Sequence, residues 1–151
     1  MPSHDRHRAA SNGDGARRPT DVVLDQQFDG TGLYALRAAV AAHAGDFGAP
    51  ERITEDVVVI ANELASNAVR HGGGAGRLLL WRNIAAVYCR VVDAGRGIAE
   101  PDRAGTHRAP AKASGGRGLW IVRQLCDDLD ITSGPAGTTV TAVVRLDNSR
   151  D

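Results

Sequence analysis

The stretch from Pro50 to Gly74 constrains the fold more than any other part of the chain. Ile53, Val57, Ile60, Ala61, Leu64 and Ala68 fall within about 100° of arc on a helical wheel, which predicts one amphipathic helix. Pro50 and Glu51 open it, and the Gly72-Gly73-Gly74 run stops it after His71. Upstream, residues 21–28 read as a short strand and Asp29-Gly30 as a turn. Thr31 is then expected to cap a helix through Asp46, with Leu33, Leu36, Val40 and Ala41 on one face. Downstream, residues 77–82 and 86–93 read as strands on either side of Asn83. Residues 98–114 hold two prolines and read as a mobile loop. A third helix opens at 115–118 and runs to about Asp128, and two strands close the chain around Pro135-Ala136-Gly137. Helices cluster while strands pair locally, so the predicted class is α+β. The expected architecture is a two-layer sandwich, with helices packed on one face of a mixed, mostly antiparallel sheet.

A chain of 151 residues predicts one domain over residues 20–148. It is preceded by a polar arm, residues 1–19, that is expected to be disordered. Lys+Arg and Asp+Glu both number 18, so no global field recruits nucleic acid or an anionic membrane. No apolar run approaches the ~18–20 residues of a membrane span, and the N-terminus lacks the apolar core of a secretory signal. Cys89 and Cys126 form no C-x-x-C pair and read as packed, reduced thiols of a cytoplasmic protein.

Three segments carry chemistry-bearing residues in a fixed order: ANELASNAVRHG at 61–72, VVDAGRGI at 91–98 and SGGRGLWIV at 114–122. Glu63 and Asn67 stand one helical turn apart, at roughly 280° and 320° with Ile53 as zero, so they border the apolar stripe. Such a pair fits a solvated helix edge. It also fits an acid that activates a hydroxyl, beside an amide oxygen suited to Mg²⁺. Asp93 ends an apolar strand and is followed by Gly95 and Gly97. Alone this is a strand-to-loop turn, or a carboxylate that accepts from an exocyclic amine while glycines admit a flat ring. Gly115, Gly116 and Gly118, with Arg117 among them, precede Leu119 and an amphipathic helix. They read as a flexible joint or as a helix start whose free N–H groups favour phosphate. No G-x-x-x-x-G-K-[ST] is present, so a P-loop is excluded, and no G-x-G-x-x-G opens a βαβ unit, which disfavours a Rossmann site.

Together and in this order the segments resemble the motifs of the GHKL ATPases, a family that includes histidine-kinase catalytic domains, gyrase and MutL. ELASNAVRHG resembles the N box, VVDAGRGI the G1 box, SGGRGL the G2 box, and GTTV at 137–140 the final glycine-threonine motif. The likeness is greatest to the small serine-kinase anti-sigma factors of the RsbW/SpoIIAB type. It spans about residues 21–147 and implies a Bergerat ATP-binding fold with ATP or ADP and Mg²⁺ as cofactors. On this resemblance Glu63 is the general base and Asn67 holds Mg²⁺ between the phosphates. Asp93 accepts the adenine amine with Gly95 and Gly97 beside it. Residues 98–114 form a lid, and Gly115, Gly116, Arg117, Gly118 and Leu119 line the phosphates. Thr138 supports the adenine pocket, His71 closes the N box, and Arg37 on the first helix contacts protein partners.

The resemblance implies an anti-sigma factor with serine/threonine-protein kinase activity on an anti-anti-sigma (STAS) partner, sequestering a sigma factor and pairing as a homodimer through the sheet. The competing expectation is a nucleotide-binding, partner-sequestering module without significant catalysis. A sensor histidine kinase is disfavoured, because no upstream helix pair carries a phosphoacceptor histidine.

Overall fold

The computed structural model describes residues 22–95 and 116–147. The expected N-terminal arm, and the loop at 98–114 together with Gly97 and Gly115, lie outside the described residues. The elements are β1 (Leu24–Asp29), a 3-10 turn (Gly30–Gly32), α1 (Leu33–Gly45), α2 (Glu51–His71), β2 (Ala75–Arg82), β3 (Ala86–Asp93), α3 (Gly116–Leu125), β4 (Asp128–Gly134) and β5 (Gly137–Arg145). The five strands lie in the order β1-β2-β3-β5-β4. Every pairing is antiparallel, so the mixed sheet that the sequence allowed resolves to the antiparallel one.

The layers follow from the two periodicities. Val87, Cys89 and Val91 of β3 alternate into the core, as do Val140, Ala142 and Val144 of β5. Against them α2 lays Ile53, Val57, Ile60, Ala61, Leu64, Ala65 and Ala68, all buried. The packing runs α1 on α2 and β1, α2 on β2 and β3, and α3 on α2. Aromatic residues are only 4% of the chain, so aliphatic side chains fill this core. Phe28 is an exception with a visible accommodation: a Cβ at Gly76 would stand 2.7 Å from its ring. A side chain at 76 would therefore displace the ring from the sheet.

Helix boundaries show where local chemistry overrides pattern. Thr31 is not the cap of α1. Asp29 Oδ1 accepts from the Thr31 N–H at 3.0 Å and from its hydroxyl at 2.7 Å. A carboxylate is the stronger acceptor, so it nucleates a 3-10 turn at Gly30–Gly32 and defers α1 to Leu33. These bonds hold the Asp29 carboxyl below its ordinary pKa. α2 matches its expected span, with the Ile53 and Thr54 N–H groups donating to the Pro50 carbonyl. α3 ends at Leu125, short of the expected Asp128, because Asp128 already pairs with Val143 in the sheet. At the β2–β3 hairpin, Asn83 Oδ1 accepts from the Ala85 and Ala86 N–H groups at 2.8 and 2.9 Å.

The sheet face turned away from the helices has a different character. Trp81 and Tyr88 stack with centroids 5.1 Å apart, and the Arg90 guanidinium lies 5.2 Å from the Trp81 ring. Arg90 Nε donates to Thr141 Oγ1 at 3.0 Å, and burial lowers the Arg90 pKa. Near the β1 edge Arg77 forks onto Asp25 with bonds of 2.7 and 2.6 Å, which depresses the Asp25 carboxyl. Cys89 and Cys126 are free and buried, and desolvation pushes both thiols up to about 12. At neutral pH neither is a reactive thiolate.

Candidate functional site

The site is built on the C-terminal half of α2. Glu63, Asn67 and His71 repeat every four residues and so share one side of the helix. Glu63 and Asn67 are partly buried, and His71 is exposed in the last turn. α3 begins against this side at a glycine. A Cβ on Gly118 would stand 2.8 Å from Glu63 Oε1 and 3.4 Å from Asn67 Oδ1. The missing side chain therefore lets the start of α3 approach a carboxylate and a carboxamide on another helix. Gly116 and Arg117 form the first turn of α3 ahead of it, and Leu119 is 6% exposed within the core. With its side chain in the core, Leu119 can offer a ligand only its backbone.

Asn67 Oδ1 is buried and has no hydrogen-bond partner among the described residues. Such an atom costs about 1–3 kcal/mol relative to a satisfied one. It is therefore a feature the fold tolerates against its own stability, and it lies beside Glu63. A neutral amide oxygen is a ligand type that Mg²⁺ accepts. Mg²⁺ commonly takes one or two protein oxygens and completes its shell with phosphate and water. The residues present fit that ion.

The second cluster lies where α2 ends and β3 meets β5. Gly72 closes α2 through its N–H to the Ala68 carbonyl at 2.8 Å. The Gly72 backbone abuts the Asp93 carboxylate so closely that a Cβ there would collide with it. Gly95 in turn packs on Gly72, where a Cβ would stand 2.5 Å from the Gly72 Cα. Asp93 Oδ1 accepts from the Gly95 N–H at 2.9 Å. Gly137 begins β5 against the Asp93 and Ala94 backbone at φ +141, a conformation that favours glycine. Thr138, 5% exposed, stands directly opposite Asp93 in the β3–β5 register, and its Oγ1 lies 2.7 Å from Ser133 Oγ. The Asp93–Gly95 segment is flanked by two open cavities. One of about 570 Å³ is lined by Val69, His71, Gly73, Gly95 and Pro135, among others. One of about 740 Å³ is lined by Phe28, Gly76, Asp93, Ala94 and Ala136, among others.

The fold thus brings Glu63, Asn67 and Gly118 into one cluster and Asp93, Gly95 and Thr138 into another, joined by the last two turns of α2. Arg37 lies apart, exposed on α1 with its guanidinium 5.8 Å from the Tyr34 ring. Sequence reading missed two members. Gly72 read only as a helix stop, although a glycine three residues ahead of a strand gives no sign of the carboxylate it will meet. Ser133 was legible in principle. A tight turn at Pro135–Ala136 with Gly134 opposite Gly137 must place residue 133 opposite 138.

Comparison with known proteins bears on this arrangement. Many solved structures are similar in fold, three of them as follows. The first holds the RsbU and RsbW domains of a Mycobacterium tuberculosis protein: 21% identity, TM-score 0.56, with 82% of this chain and 33% of that one covered. This chain therefore spans about a third of the length of that two-domain chain. A histidine kinase domain of a blue-light activated kinase from Erythrobacter litoralis matches at 22% identity and TM-score 0.52, covering 80% of this chain and 68% of that one. A chain of the SiaB–SiaC complex from Pseudomonas aeruginosa matches at 12% identity and TM-score 0.62, covering 95% and 99%. At these identities the likeness is one of fold. No curated protein matches the chain. The family described as "Histidine kinase-like ATPase domain" matches residues 28–144, which include every described residue of both clusters. The chain belongs to the histidine kinase-like ATPase domain family.

Proposed function

We propose that the protein is an ATP-binding regulator of the anti-sigma type, a serine/threonine-protein kinase that acts on a STAS-domain anti-anti-sigma partner and sequesters a sigma factor. Family membership implies nucleotide binding. The observation that carries the finer reading is the juxtaposition of the Glu63 carboxylate and the orphaned Asn67 oxygen at the glycine start of α3. Asp93 and Thr138 then take the adenine, with Gly95 and Gly97 beside the ring, and His71 borders its entrance. Gly115 together with the first turn of α3, Gly116 to Leu119, is assigned to the phosphates, which backbone N–H groups at a helix start favour. Mg²⁺ held by Asn67 would neutralise charge on the phosphates. Glu63 accepts the proton of an incoming serine hydroxyl. The serine oxygen bonds to the γ-phosphorus as the bond to the bridging oxygen breaks, releasing ADP.

Arg37 supports the partner reading. It is the one Lys or Arg of α1, exposed beside Tyr34 on a helix whose outward side otherwise carries alanines 35, 38, 41 and 42. Solvated helices normally present a charged outer face. On the helix-free face the half-buried Tyr88 and Arg90, ranged on the buried Trp81, have the composition of an interface and are the surface for the homodimer. The similar SiaB–SiaC structure is itself a complex of two proteins.

The test is transfer of labelled γ-phosphate from ATP to a co-encoded STAS protein. Wild type should transfer and Glu63→Gln should not, with ATP binding retained. Transfer by Glu63→Gln at the wild-type rate would remove Glu63 as the base. Tight ADP and ATP binding with no transfer by wild type would favour a partner-binding module over a kinase.

A further inference from the structure

Ser133 and Thr138 leave the tight β4–β5 turn as a directly opposed pair, with their hydroxyl oxygens 2.7 Å apart. Thr138 is buried and stands opposite Asp93 on the neighbouring strand. Asp93, Thr138 and Ser133 therefore form a row across β3, β5 and β4 at the end of the sheet where α2 terminates. A hydroxyl donates one proton and accepts at two lone pairs. Which way the shared hydrogen bond runs decides whether Thr138 presents a donor or an acceptor beyond Ser133.

Adenine presents two neighbouring groups on one edge: an exocyclic amine that donates and the ring nitrogen N1 that accepts. Guanine reverses both, with an oxygen that accepts and an N1–H that donates. A carboxylate is acceptor-only and satisfies the adenine amine. Selectivity then needs a donor for N1 beside it. Thr138 is the neighbouring hydroxyl, but free rotation would let its proton turn to Ser133 instead and leave only lone pairs toward the base.

Resting on the adenine-nucleotide reading above, we propose that Ser133 is a positioning residue for base recognition, donating to Thr138 Oγ1 so that the Thr138 hydroxyl donates toward adenine N1 beside the amine accepted by Asp93. Ser133 does not touch the base. It sets the direction of a two-hydroxyl chain whose far end does. Asp93 has its own orientation fixed separately, by the Gly95 N–H on Oδ1. The site thus holds an acceptor and a donor, each aligned by a second group.

The experiment is calorimetric titration of the full chain with ATP and with 1-deaza-ATP, in which N1 is replaced by C–H. Wild type should bind 1-deaza-ATP roughly 3- to 10-fold more weakly than ATP, the effect of one neutral hydrogen bond. Ser133→Ala should weaken ATP by a similar factor yet leave 1-deaza-ATP within about twofold, since the contact it supports is already missing there. Ser133→Thr, which restores the hydroxyl, should recover the preference for ATP. Should Ser133→Ala not fold, Ser133→Cys carries the same comparison with a weaker donor. Equal loss for both nucleotides, or unchanged ATP binding, would overturn the positioning role. A wild type that binds ATP and 1-deaza-ATP alike would overturn the Thr138 contact. A wild type that binds neither would overturn the nucleotide reading itself.

Discussion

From Glu51 to Asn62, α2 buries Ile53, Val57 and Ile60 and turns its charged residues outward, where Arg52 and Asp56 pair across one turn at 4.0 Å. From Glu63 to His71 the apolar stripe continues through Leu64, Ala65 and Ala68, but Glu63 and Asn67 on its border are half-buried. Glu63 and Asn67 meet Gly118 of α3, and the helix ends with Gly72 against the Asp93 carboxylate. Apart from the exposed Val59, the first half divides its positions between core packing and polar, solvated residues. The second half keeps a buried amide oxygen with no partner among the described residues, at a cost. One helix thus joins a packing segment to a binding segment, and the periodicity alone does not distinguish them. The neighbour does, because a glycine at 118 lets another helix start come close.

Substitutions can separate the two halves. Ile60→Ala should produce the largest effect, about 2–5 kcal/mol lost in denaturant unfolding, because the side chain is fully buried. A loss below about 1 kcal/mol would mean that the first half is not the packing segment. Gly118→Ala should do the opposite. The new methyl meets the end of a flexible glutamate, so folding should stay within about 1 kcal/mol of wild type, helped by alanine's helix propensity. Nucleotide affinity should nevertheless fall roughly 10-fold as Glu63 is displaced, read by calorimetry. Asn67→Ala should leave the nucleotide-free protein as stable as wild type, or up to about 1 kcal/mol more so, by removing the orphaned oxygen. It should also abolish any gain in ATP affinity on adding Mg²⁺. A clear destabilisation without ligand would assign Asn67 to the packing half.

The smallest effect belongs to the exposed Asp25–Arg77 pair, which ties β1 to β2. The Asp25 carboxyl is held below the 3.8 of an unpaired aspartate, mainly by its bonds to Arg77. Its contribution is therefore full above that value and fades as pH falls through the depressed folded value. Asp25→Asn should lower stability slightly at neutral pH and make its acid limb shallower, more at low salt than high, and leave neutral-pH nucleotide binding unchanged. A binding change would tie the sheet edge to the site.

Much of the fold was readable because it rests on local periodicity. The span of α2, the β3 strand and the Asn83 turn each follow from side chains within a few residues. What was not readable depended on partners distant in sequence or on competition between neighbours. Asp29 displaced Thr31 as the cap because its carboxylate takes both the Thr31 N–H and the Thr31 hydroxyl proton, which starts the turn two residues earlier. Glu63 and Asn67 could be placed on the stripe's border, but whether that border was wet depended on residue 118, over fifty positions away. Gly72 carried no sign of Asp93, since nothing in a triple-glycine run says which backbone atom a later strand end will touch.

The central claim is that the Asp93 end of β3 and the second half of α2 form one adenine-nucleotide site. Titration of ATP with Mg²⁺ into wild type and Asp93→Asn tests it most directly. Wild type should bind one nucleotide per chain. Asp93→Asn should bind roughly 10- to 100-fold more weakly, the loss of one charge-assisted hydrogen bond, with unfolding otherwise near wild type. Equal affinity for the two proteins would contradict the account.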